Sequence, residues 1–165
     1  MFEHAKFKQA HTGFTLIEIM IVIAILGIIT CLAVPTYQNY AIRAQVSEGL
    51  HLAGEWESAV ADFYNTNQSW PSQADLTDMA PGIGAYGSNI SVTSGVITIT
   101  YGTAQSSAQI AGARLTIVPY TDANNDIVWQ CGLAAAPAGT PANGAAPAPG
   151  GTTLLSQQLP TACKA

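Results

Sequence analysis

Charge is what this chain has least of: Asp, Glu, Lys and Arg together make up 9% of its 165 residues, where an average soluble domain carries about 25%. Five of those charges are cationic, too few to line a nucleic-acid backbone, which needs clustered Lys and Arg to neutralise phosphates. Direct nucleic-acid binding by this subunit alone is therefore not expected. Histidine is also scarce: of three, His4 and His11 fall in the first 13 residues and only His51 lies beyond. No Ser/His/Asp or Cys/His set can be assembled from that, so no catalytic residues are assigned and an enzyme is not expected. The three cysteines lack the companion ligands that a zinc site requires, and no metal or cofactor is assigned. Cys31 lies in an apolar stretch and reads as a small buried hydrophobe. Cys131 and Cys163, 32 positions apart in the polar half, are read as a disulfide. Closing such a loop stabilises by roughly 3.5–4 kcal/mol on the chain-entropy model, and it implies export to an oxidising compartment.

What the chain does have is one long apolar run. Phe14 to Val34 is nearly uninterrupted, and as a helix its 21 residues reach roughly 31 Å, enough to cross a bilayer core. One carboxylate, Glu18, stands inside it. Such a charge costs about 2.5–3.5 kcal/mol at a membrane-helix centre and less near an end, so a cationic partner is expected. No Lys or Arg occurs between Phe14 and Ala41. A cut after Gly13 would make a new α-amino group on Phe14, and that amine on a neighbouring copy is the expected partner. Ordinary secretory signals are cut after their apolar region; here the junction precedes it, so the helix would be retained. Lys6 and Lys8 place the short leader on the cytoplasmic side. An uncleaved signal anchor is the competing reading. Removing residues 1–13 takes away Glu3, Lys6 and Lys8 and leaves three Lys/Arg against nine Asp/Glu.

Gly13-Phe14-Thr15-Leu16-Ile17-Glu18, followed by Ile19 through Ile29, Pro35 and Tyr37-Gln38-Asn39-Tyr40, resembles the signature of type IV prepilins. Trp129-Gln130-Cys131 and Leu159-Pro160-Thr161-Ala162-Cys163-Lys164 resemble the closing segments of type IVa pilins. The resemblance implies an inner-membrane prepilin peptidase that cleaves after Gly13 and N-methylates Phe14. It implies a single-pass precursor with its N-terminus inside, then inner-membrane assembly machinery and a helical homo-oligomer at the cell surface. Phe14, Thr15 and Glu18 would be the assembly residues. Gly27 and Pro35 would border a stretch that loses helicity in the filament; from the residues alone, a kink or local unwinding near Thr30–Pro35 is expected, or a simple bend.

The domain plan is a leader over 1–13, a hydrophobic transmembrane and assembly half-helix over 14–35, and an exported head over 36–165. The fold class is α+β: a long N-terminal helix, transmembrane and then amphipathic, packed on an antiparallel sheet of about four strands, with a disulfide-bounded C-terminal loop region. The helix is expected to end near Asn65. Val46, Leu50, Ala53, Val60 and Tyr64 mark one apolar face, and Ile42, Leu52, Trp56, Ala59 and Phe63 an adjacent strip. The extra width serves either contacts between subunits or a larger internal core. Arg43, Glu48, Glu55, Glu57 and Asp62 take more solvated directions. Strands are expected over 89–93, 96–101, 114–120 and 127–131, the first pair joined by Ser94-Gly95 and the second by Asp122–Asp126. Alternation in 96–100 and 115–118 fits a sheet with one covered face. The Ala/Pro/Gly-rich stretch 134–151 has no apolar period and reads as an irregular excursion.

Three short patterns carry little. Gly82-Ile83-Gly84-Ala85-Tyr86-Gly87 fits a dinucleotide fingerprint but is preceded by Pro81 and followed by a strand, where a helix is required. Asp122, Asn124 and Asp126 alternate like calcium ligands but lack the glycine and distal glutamate of an EF-hand. Asn67-Gln68-Ser69 and Asn89-Ile90-Ser91 match the glycosylation sequon. The expected function is a structural subunit of a type IV pilus serving adhesion, twitching motility or DNA uptake. A minor pilin or type II secretion pseudopilin is the related alternative. A monomeric membrane-anchored periplasmic binding module is the alternative of another class.

Overall fold

The computed structural model describes residues 13–79, 84–142 and 151–165. Two compact units make up the chain, Met1–Tyr37 and Gln38–Ala165. Helix α1, Leu16–Asn67, supplies all the regular structure of the first unit's described residues and the opening element of the second. Its end falls two residues past the expected one. Gln68 takes a positive φ of 53° and its amide bonds to the Tyr64 carbonyl at 2.8 Å, a left-handed cap made without glycine. The Asn67 side-chain amide donates to the Phe63 carbonyl and that of Gln68 to the Asn65 carbonyl, so side chains supply donors to the last turns although no basic residue stands there.

In the head, α1 buries Ile42, Val46, Gly49, Ala53, Trp56 and Val60. These steps of four and three trace one seam along the helix. The apolar face is thus rotated from the one expected: Ile42 and Trp56 lie on the main line, while Leu50 and Tyr64 are only half-buried. Gly49 is the reason. It lets the Tyr101 phenol come so close that any added Cβ would meet the Tyr101 hydroxyl, and that hydroxyl donates to the Val46 carbonyl at 2.9 Å. Two residues assigned to solvated directions are half-buried and tied to backbone groups by exposed bonds: Arg43 donates through Nε to the Gln157 carbonyl at 2.8 Å, and Glu48 accepts from the Ala85 amide.

Strands β1 (Gly87–Thr93), β2 (Val96–Tyr101), β3 (Arg114–Thr121) and β4 (Ile127–Cys131) form an antiparallel meander in that order, at nearly the expected boundaries. Ser94 and Gly95 have φ of 48° and 81°, the doubly left-handed pair of a two-residue hairpin. β2 alternates half-buried and buried as expected, its Ile97, Ile99 and Tyr101 facing the core with Leu115 and Ile117 of β3.

β3 departs from the one-face expectation. Leu115 through Tyr120 are all buried, because the chain's C-terminal part returns along this strand. Thr153 exchanges bonds with Arg114, and Thr152 accepts from the Thr116 amide at 3.1 Å and meets its hydroxyl at 2.8 Å. A fifth strand, β5 (Thr140–Pro141), pairs with Tyr120 and Thr121 on the edge that β2 leaves vacant. The stretch beginning at 134 is therefore not wholly irregular; two residues need only backbone pairing, which no apolar period announces, and 143–150 lie outside the described residues. Pro119 fits in a central strand because β2 pairs only as far as Ile117 and β5 begins at Tyr120, so its missing N–H is not called for.

Candidate functional site

Thr15 is the N-cap of α1 and Glu18 its third helical residue. The Thr15 amide and hydroxyl both donate to Glu18 Oε2, at 2.8 and 2.6 Å, and the Glu18 amide reaches back to the Thr15 hydroxyl at 3.3 Å. This is a reciprocal capping box, with the carboxylate set at the positive end of the helix dipole. Glu18 therefore has intramolecular donors in addition to any cation, and the Thr-x-x-Glu spacing is the sequence signal for them. Both donors come from Thr15, so a cut after Gly13 would leave them in place. Oε1 accepts no hydrogen bond among the described residues.

Around this box nothing is covered. A Cβ added at Gly13 would meet nothing within 4 Å, and Phe14 is 82% exposed. The large apolar side chains from Leu16 to Val34 range between 47 and 77% exposed. Cys31 is exposed as well, correcting its reading as buried: the helix around it has no protein cover. An apolar surface that runs around the whole helix, in contrast to the head's one-sided seam, requires lipid or other apolar helices to cover it.

α1 continues through Gly27 and Pro35 with no loss of helix, so local unwinding between Thr30 and Pro35 is not found in the single chain. Pro35 cannot donate to the Cys31 carbonyl, yet the turns on either side hold their bonds. The Thr30 and Thr36 hydroxyls add bonds to the Leu26 and Leu32 carbonyls, at 2.7 and 3.3 Å.

Cys131 and Cys163 are joined as a disulfide with Cα atoms 4.6 Å apart. The Leu133 amide donates to the Cys163 carbonyl at 2.9 Å, and Gly132 is tight against the same carbonyl and Leu115. The bridge thus fastens the C-terminal segment to the end of β4. In the β3–β4 turn, Asp122 Oδ1 accepts from the amides of Asn124 and Asp126; that oxygen serves the turn. Of the glycine pattern, Gly82 and Ile83 lie outside the described residues, and Gly87 opens β1. Asn67 and Asn89 of the sequons are exposed, as is His51. Burial pushes the Tyr101 hydroxyl up from its ordinary range, with the Glu48 charge adding to the effect. Bonds from the Ser72 amide and hydroxyl hold Asp75 below the usual carboxylate range.

Two family descriptions match the chain: the pilin of bacterial filaments over residues 42–164, and the prokaryotic N-terminal methylation motif over residues 8–33. A type IV major pilin protein, PilE1, of Neisseria gonorrhoeae is 36% identical over 156 residues, 92% of this chain and 86% of its own. The fimbrial protein EcpC of Eikenella corrodens is 37% identical over 129 residues, 75% of this chain and 84% of its own. The type IV major fimbrial protein FimA of Dichelobacter nodosus is 51% identical over 55 residues, 33% of this chain and 34% of its own.

Proposed function

Because this chain belongs to the type IV pilin family and is a structural subunit of a pilus, we propose that it is a major subunit, cut after Gly13, N-methylated on Phe14 and polymerised through its apolar half-helix. A prepilin peptidase hydrolyses the Gly13–Phe14 amide with water, leaving a carboxylate on the leader and an amine on Phe14; a separate methyl-donor cosubstrate then transfers its methyl group to that nitrogen, which gives up a proton. Before assembly the precursor spans the inner membrane once, with Lys6 and Lys8 on the cytoplasmic side. Assembly machinery then moves the helix from lipid into a bundle of like helices. Filament contacts replace the apolar cover that lipid gave, at roughly 1.5–3 kcal/mol for each large side chain kept from water.

Glu18 sets the register. Its Oε2 stays with Thr15, and Oε1 takes the charged amine of a neighbouring Phe14. In a medium of low dielectric such a pair matters more for alignment than for net stability. The filament serves adhesion, twitching motility or DNA uptake, the function being decided by the machine and by the exposed loops.

The observation that supports this reading is the contrast between a head closed over its own core and an apolar helix with no residue buried from 14 to 38. Mass spectrometry of the protein from sheared surface filaments tests it: loss of residues 1–13 and gain of one methyl group are expected. Glu18→Ala should insert and be cut normally but assemble poorly. Intact Met1 in a protein that never forms filaments would return the chain to the anchored-module class.

A further inference from the structure

Beyond residue 13 the chain has three Lys/Arg, namely Arg43, Arg114 and Lys164, and the fold gathers them at one end of the head. Arg43 lies five residues after Gln38, the head's first residue, and is tied to Gln157. Arg114 opens β3, its side chain exposed while its backbone is pinned to Thr153 on both sides. Lys164 follows Cys163, whose carbonyl lies within reach of Gly132 beside Leu115, the residue after Arg114.

Acids occupy the opposite end. Asp122 and Asp126 sit in the turn beyond Thr121, and Arg114 and Thr121 are the two ends of β3, roughly 23 Å apart for seven steps of strand. Asp75 and Asp78 belong to the segment after Trp70, which bonds from the Val92 amide to Gln73 and from the Gly95 amide to Pro71 hold beside the β1–β2 hairpin. Asp62 is near the end of α1. Glu55 and Glu57 lie between the two ends. Glu48 is in the cationic half, where it accepts from Ala85.

We propose, on the reading that copies of this chain assemble, that heads dock end to end, the cationic end of one copy on the acidic end of the next. Each end carries the complement of the other, so one surface pairing satisfies both. Heads bearing three Lys/Arg against eight Asp/Glu, Glu18 lying outside the head, repel one another as wholes, and end-to-end stacking sets opposite charges face to face. It also makes head contacts sensitive to salt, since opposite charges at a surface act over only about 10 Å at 0.1 M. Arg114, whose side chain is exposed, and Lys164 are the docking cations to test, while Arg43 keeps its charge and has its Nε fixed on the Gln157 carbonyl.

The test is a charge swap in the full chain, read as filament yield by shearing and electron microscopy. Membrane insertion, cutting and disulfide formation serve as fold controls. Arg114→Glu and Asp126→Lys should each lower yield by about tenfold, and the double variant should recover most of it. Should Arg114→Glu fail a fold control, Lys164→Glu takes its place and is read in the same way. Wild-type yield from the cationic-end reversal, or a double variant as poor as the two singles combined, overturns the docking. So does unchanged yield accompanied by weaker retention on anionic phosphatidylglycerol vesicles, which would give that end to lipid. Absence of filaments from the wild type would instead sink the assembly reading.

Discussion

Glu57 sits half-buried on α1, and burial pushes its carboxyl up from the ordinary value near 4.5. The fold thus favours the protonated form. Any stability this gives is fully present below the unfolded pKa and is lost as pH rises through the raised one. At neutral pH the ionised group is a burden. Glu57→Gln should therefore raise the Tm by about 1–3 °C at pH 7, with the gain shrinking toward zero near pH 4, measured by circular dichroism in detergent. A gain of equal size at both pH values would mean that charge has no part in it. At this scale legibility was uneven. Thr15 and Glu18 stand in the sequence at capping-box spacing, yet the apolar run around them directs attention to a foreign cation. Arg43 and Glu48 could not be placed, because their partners are backbone groups of Gln157 and Ala85, and no pattern of side chains encodes which backbone group will come near.

At the scale of elements, α1 carries a contrast between two glycines five residues apart. Gly49 is buried against the Tyr101 phenol, whereas an added Cβ at Gly54 meets nothing within 4 Å. Alanine gains up to about 1 kcal/mol over glycine in a helix interior. At Gly49 the Tyr101 hydroxyl must also yield its bond to Val46, and overpacking costs about 1–3 kcal/mol. Gly54→Ala is expected to raise the Tm by a few degrees and Gly49→Ala to lower it. Equal shifts from the two, followed by thermal melts, would remove Tyr101 from the account. The strands were legible because Val96–Tyr101 and Ile127–Cys131 have β-type composition between turn residues. The rotation of the helix face was not, since glycine adds nothing to an apolar pattern even where it lies at the core's closest approach. β5 and the second cover on β3 escaped for a related reason: both are made by backbone and threonine hydroxyls.

For the whole molecule, the chain divides into two compact units at Tyr37–Gln38, and the division has an energetic meaning. The core of the head draws on α1 only from Ile42 onward and is completed by the sheet, Leu76, Ile110, Leu154, Leu159 and Cys163. No residue from 13 to 38 is buried, and the head's buried cluster begins at Ile42. A chain starting at Gln38 should then fold by itself, remain monomeric and soluble, and form the Cys131–Cys163 bridge. Its stability should depend on that bridge by roughly 2–5 kcal/mol, the usual cost of removing a native disulfide from a small exported domain. Size-exclusion chromatography and paired melts with and without reductant measure both properties. The same truncation must abolish assembly, because the apolar surface between Phe14 and Val34 is what lipid and neighbouring copies compete to cover. A truncated head that aggregates or melts without cooperativity would show that the rod supports the fold as well as the polymer. A truncated head that still builds filaments would move the driving force for assembly onto the heads themselves.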